Sequence, residues 1–145
     1  MKVTMMLTDF AQAINGKLYI MGGGWSITGP APCPSAIAVK IEVPWNLTNQ
    51  KHRLRVDLLD GDFHPVPVPT PEGQAPMIIE GNFEVGRPVG LLVGTPMDVA
   101  LAFNIPPIPL DPGRRYIWKL TINGQENDDW QVAFSTRPAE KNPSH

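Results

Sequence analysis

The chain has 145 residues, of which 42% are hydrophobic and 18% charged, and a net charge of −2. That length supports one domain with a buried core, and the near-neutral balance lacks the basic surplus that general nucleic-acid or anionic-membrane binding needs. The 17 prolines and 13 glycines exclude a helical bundle, because both residues are poor in helix interiors.

Apolar residues recur at every second position, the spacing of strands with one buried face. Val3, Met5 and Leu7 alternate with Thr4, Met6 and Thr8. Residues 10–15 have some helical character and allow a single turn. Leu18 and Ile20 lead a strand through Tyr19 and Met21 toward Trp25. In 36–43, Ile37, Val39, Ile41 and Val43 share one face; in 53–59, Leu54, Val56 and Leu58 do. Residues 63–76 carry Pro65, Pro67, Pro69, Pro71 and Pro76. Proline has no N–H for a ladder, so this stretch reads as an extended connection or a protected edge. The inner rows of the remaining strands are Ile79, Phe83 and Val85 (78–85), then Met97, Val99, Leu101, Phe103 and Ile105 (97–105). Tyr116, Trp118, Leu120 and Ile122 (115–122) follow, and Trp130, Val132 and Phe134 (130–136) end the series. No segment sustains a 3.6-residue period, so almost no helix is expected.

Asn15-Gly16, Asp60-Gly61, Asp111-Pro112-Gly113 and Asn123-Gly124 supply turns, since Gly and Asn accept positive φ and Pro presets turn entry. About eight short strands separated by turns predict an all-β fold, an antiparallel immunoglobulin-like β-sandwich with Greek-key connections. The expected domain spans 1–137, followed by a polar tail at 138–145.

No set of residues points to catalysis. Cys33 is the only cysteine, which excludes an internal disulfide and a cysteine-rich zinc site. His52, His64 and His145 stand in no metal-ligand spacing. Asp60, Asp62 and Asp128 would hold calcium only if the fold brought them together; a polar turn is the simpler reading. Gly22-Gly23-Gly24 lacks the residues of a phosphate loop and the spacing of a dinucleotide fingerprint, which leaves a bulge or a close backbone approach beside Trp25. Ser26, Ser35 and Ser135 lie in no nucleophile elbow. The expectation is therefore a non-enzymatic protein with no metal and no cofactor. The first ten residues lack the apolar segment of a secretory signal, and no apolar run reaches the ~18 residues of a membrane span. A cytoplasmic protein without membrane or nucleic-acid partners is expected.

Two features point to binding. Residues 89–93 and 106–109 are apolar although they fall in connections, and Met6, Met21, Ile78 and Ile117 fall on nominal outer faces. Leu91, Leu92, Val93, Pro107 and Ile108 are the candidate interface of a homo-oligomer or a protein partner. The alternative is a small-ligand or carbohydrate-binding module that uses Trp25, Trp45 and His52, because a tryptophan in a loop offers a flat apolar face with one donor.

Leu110-Asp111-Pro112-Gly113-Arg114-Arg115-Tyr116 resembles the tyrosine corner of fibronectin type III and immunoglobulin-like domains, whose tyrosine hydroxyl bonds back to the backbone. Several stretches together resemble a bacterial family classed as a domain of unknown function. They are residues 1–7, 15–25 (Asn-Gly-Lys-Leu-Tyr-Ile-Met-Gly-Gly-Gly-Trp), 41–45, 85–88 and 110–118. The family pattern is a start strand, G-K-L-x-I-x-G and a late P-G-x-Y strand; here Arg114-Arg115 places one more residue before Tyr116. The resemblance implies a bacterial, cytoplasmic, all-β protein and carries over no catalytic residues.

Overall fold

The computed structural model describes residues 1–139 and forms eleven strands among them. Positions 140–145 of the expected tail, with His145, lie outside the described residues. A four-stranded antiparallel sheet has the order β2 (Lys17–Gly23), β1 (Lys2–Ile14), β4 (Ser35–Val43), β9 (Met97–Ile105). A five-stranded sheet has the order β3 (Ile27–Thr28), β11 (Gln131–Thr136), β10 (Arg115–Ile122), β5 (His52–Asp60), β8 (Ile78–Phe83). Its pairs are antiparallel except β3 with β11. β6 (Pro67–Thr70) and β7 (Gly73–Pro76) form a separate two-stranded sheet, joined to β5 by the backbone bonds of Leu58 with Val66 and Met77. One 3-10 turn, Trp45–Leu47, follows β4. No helix among the described residues is long and apolar enough to cross a membrane.

Alternation builds the core. Leu7, Ile37, Val39, Ile41 and Val43 of the first sheet join Leu54, Val56, Leu58, Trp118 and Leu120 of the second in one buried cluster. Side chains of a strand point alternately to its two faces, so β4, β5, β10 and the first half of β1 each turn one row inward.

The second face of β4 is also partly covered, and this the periodicity does not predict. Ala36 and Ala38, opposite in phase to the core row, are buried with Ala11 of β1, and Leu18 and Ala102 pack on them. Pairing of β1 with β4 ends at Thr8 opposite Ala36, whereas pairing with β2 continues to Ile14 opposite Lys17. Beyond Thr8 the β1–β2 hairpin bends across the outer face of β4 and β9. Asn104 of β9 fastens it, donating from Nδ2 to the Ala11 carbonyl at 2.9 Å and accepting the Ala11 N–H on Oδ1 at 3.5 Å. The expected turn at 10–15 is thus replaced by strand, because burial of Ala11 against alanines outweighs its local helical preference.

Glycines serve the hairpin's close approaches. Gly22 has a φ of +61°, and a Cβ there would collide with the Asp9 carboxylate. Gly23 is hemmed in by Ile20, Met6 and Thr8.

At the start of β10, the Asp111 N–H donates to the Tyr116 hydroxyl at 2.9 Å. Thr136 Oγ1 donates to the Asp111 carbonyl at 2.6 Å and accepts the Arg114 N–H at 3.0 Å. The corner is therefore tied both to its own tyrosine and to the last strand. Two further points differ from expectation. Short strands β3, β6 and β7 are added to the eight read from periodicity. Ile117, assigned to an outer face, is only 4% exposed.

Candidate functional site

The strands of the β1–β2 hairpin carry exposed apolar residues. Phe10 stands opposite Met21, Gln12 opposite Tyr19 and Ile14 opposite Lys17. These pairs are opposite in phase to Ala11, Ala13 and Leu18, so they face away from β4 and β9. Met21 is 67% exposed, and Phe10, Ile14, Tyr19 and Ile20 are also exposed. One side of β2 pairs with β1; no strand among the described residues pairs with the other. Positions 18–24 hold no charge and no proline, two common means of blunting a sheet edge. The other outermost strands differ. β8 carries Glu80, β9 carries Asp98, and β3 has two residues.

The sequence-predicted interface residues divide. Leu91, Leu92 and Val93 are exposed in the connection between β8 and β9, Leu92 at 83% and Val93 at 85%. Val89 joins them. Pro107 is exposed, whereas Ile108 is half-buried against the core.

Trp25, Trp45 and His52 do not converge. Trp25 lies beside the beginning of β4 and lines a cavity of about 40 Å³ with Cys33, Ser35, Ile108 and Phe134. Its ring meets Phe134 edge-on, centroids 6.3 Å apart, and its Nε1 is buried with no partner among the described residues. Such a space accommodates water but not a sugar ring. Cys33 is exposed at the rim, its Sγ 3.5 Å from Thr28 Oγ1. Trp45 and His52 lie past the other end of β4, whose nine residues at ~3.3 Å each span about 30 Å.

At that end the Arg87 guanidinium sits 4.2 Å over the Trp45 ring and donates from Nη2 to the Trp45 carbonyl at 2.6 Å. One face of Trp45 is therefore taken by a cation–π contact. His52 is 3% exposed. Its Nε2 lies 2.7 Å from the Leu47 carbonyl and its Nδ1 3.0 Å from Asn123 Nδ2. A carbonyl only accepts, so Nε2 carries the proton and Nδ1 accepts from Asn123. The Arg53 N–H, donating to Asn123 Oδ1 at 2.9 Å, holds that amide in this orientation. His52 also stacks on Phe83, centroids 5.2 Å apart. With both nitrogens engaged inside the chain, His52 supports the Trp45 turn.

Asp60, Asp62 and His64 place ligand-type atoms within 4.8 Å of one another, and Asp128 is not in that group. Asp60 Oδ1 accepts the His64 N–H at 3.0 Å and the Asp62 N–H at 2.9 Å. The His64 backbone bond foremost, then that of Asp62, holds this carboxyl below its ordinary value. Oδ1 thus serves its own turn, while Oδ2 lies 3.9 Å from His64 Nδ1.

Sequence reasoning missed Phe10, Ile14, Tyr19 and Ile20. With 10–15 read as a turn, Phe10 and Ile14 had no strand face to belong to. The available signal was their two-residue alternation with Ala11 and Ala13.

The geometry defines an all-β protein of multiple antiparallel sheets that leaves apolar surface open on a hairpin and a loop. A family model described as a family of unknown function (DUF6941) matches residues 3–134. The chain belongs to that family. None of the curated proteins matches it.

Proposed function

We propose that the protein is a non-enzymatic binding module that acts through protein contacts, foremost self-association. The observation that carries this reading is the outward face of the β1–β2 hairpin, where Phe10, Ile14, Tyr19 and Met21 are held in register and exposed. Holding large apolar side chains in water on an ordered element is costly unless another surface covers them. The exposed loop residues Leu91, Leu92 and Val93 extend the same argument to a second surface. The finer fold reading is an immunoglobulin-like sandwich with Greek-key connections. The core shared by both main sheets and the Tyr116–Asp111 bond support it. Native mass spectrometry and sedimentation of the purified chain test the function. A defined multiple of the chain mass is expected; a strict monomer that captures no protein overturns the reading.

A second reading is a small ligand beside Trp25, favoured by the unpartnered indole Nε1 in the wall of the cavity. The volume restricts such a ligand to a few heavy atoms with one acceptor. Extra mass on the natively ionised protein, lost in a Trp25→Phe variant, is the expected signature.

A further inference from the structure

The surface that carries the self-association reading also has a geometry that selects a partner. β2 is a seven-residue outer strand whose free margin presents unpaired backbone donors and acceptors, a ready template for another strand. We propose that two copies of this chain pair antiparallel through β2, about a two-fold axis at Ile20, and so join their four-stranded sheets into one. This rests on the self-association proposed above.

The register follows from self-complementarity, which a two-fold interface requires. With Ile20 opposite Ile20 of the second copy, Tyr19 stands opposite Met21 of that copy, and Met21 opposite its Tyr19. Within each chain Met21 already stands opposite Phe10. The outward face then carries two continuous rows, each running Phe10, Met21, and Tyr19 of the other copy. Aromatic rings flank a thioether in both rows, a favourable contact. Moving the axis to Tyr19 puts Lys17 opposite Met21. Moving it to Met21 puts Tyr19 opposite Gly23. Only the central register keeps every large side chain of this face against another apolar one.

The contact is lateral. The backbone margins of the two β2 strands pair, and Tyr19 and Met21, 53% and 67% exposed, lie against Met21 and Tyr19 of the other copy. Phe10 and Ile14 stand one strand further in, and Ile20 belongs to the opposite face with Ala11. Positions 18–23 of this margin carry no charge and Lys17 falls opposite Gly23 of the other copy, whereas Glu80 on β8 would oppose pairing of that strand with itself.

The test is site-specific cross-linking, with native mass spectrometry of the full chain. In a Cys33→Ser background, Ile20→Cys brings two thiols together at the axis. Opposed residues of an antiparallel pair have Cα atoms ~4.5–5.5 Å apart, inside the disulfide range. Mild oxidation is expected to give a covalent dimer at Ile20→Cys and none at Leu92→Cys. Met21→Lys, at an exposed position, is expected to weaken the dimer at least tenfold with an unchanged circular dichroism spectrum. If the chain is dimeric, Ile20→Cys does not cross-link and Met21→Lys leaves the dimer intact, the β2 pairing is overturned while self-association stands. A dimer that cross-links through Leu92→Cys moves the interface to the loop. A monomer at every concentration overturns both.

Discussion

The side-chain amide of Asn104 holds both backbone groups of Ala11, 93 positions away in the chain. A strand normally meets its neighbour's backbone, yet here one side chain of β9 takes that role and fixes where the β1–β2 hairpin comes down. Removing it leaves a part-buried N–H and carbonyl without partners. We expect Asn104→Ala to cost about 1–3 kcal/mol in urea unfolding. Amide exchange should accelerate at Ala11 more than at Val39 in the core; equal protection at both would show that the bonds do not anchor the hairpin.

The tyrosine corner gives a milder test. Tyr116→Phe keeps the ring, which stacks on Phe134 with centroids 5.6 Å apart, and deletes only the acceptor of the Asp111 N–H. A loss of about 1 kcal/mol is expected, measured by denaturant titration with an unchanged slope. No loss would mean that the Thr136 bonds alone secure the corner.

Gly22 and Gly81 should respond oppositely to alanine. At Gly22 a methyl meets Asp9 and the backbone is left-handed, whereas at Gly81 it meets only the Leu54 side chain at 3.9 Å with no unusual φ. Gly22→Ala should destabilise by roughly 2 kcal/mol or more, about 1–2 of it from the left-handed backbone. Adding Asp9→Ala should recover the steric part alone. Gly81→Ala should be neutral or slightly stabilising. The double-mutant cycle between positions 9 and 22 is the measurement, and zero coupling would refute the collision.

His52 separates a supporting residue from a surface one. His52→Ala removes a buried ring and strands both the Leu47 carbonyl and the Asn123 amide. A loss of about 2–4 kcal/mol is expected. Leu92→Ser touches nothing buried and should change stability by less than ~0.5 kcal/mol. Thermal unfolding of the two variants side by side checks the ordering.

Asp60 supplies a pH dependence. Its carboxyl titrates below the ordinary value because its charged form accepts the His64 and Asp62 N–H groups. A group depressed in the folded state contributes stability that is complete above its unfolded value and is lost as pH falls through its folded one. A carbon-detected NMR titration should place the Asp60 midpoint below the ordinary aspartate value. A midpoint at or above it would contradict the turn geometry.

Periodicity made most of the fold legible. Met97–Ile105 and Arg115–Ile122 could be read to the residue because one apolar face of each strand turns to the core, half-buried as far as Phe103 and buried at Ile105 in the first, buried throughout in the second. What escaped depended on contacts distant in sequence. Ala11 is buried by Ala36 and Ala38, which nothing near position 11 announces. β3 is two residues paired in parallel with β11, too short to show a period. For the candidate site, Met21 and the 89–93 loop were legible as apolar residues in the wrong place. The face that unites Met21 with Phe10 became visible only once the strand was known to continue past Thr8.

The alternating prolines of β6 have a consequence for growth. Thr70 and Gly73 close the hairpin turn, and Val68 pairs with Ala75 two steps further back. By the alternation of an antiparallel ladder, Pro67 and Pro69 then direct their nitrogens outward. That margin can receive hydrogens but has none to give at every second rung. An arriving strand finds an incomplete ladder there, so growth by strand addition is disfavoured at the β6 margin of this hairpin.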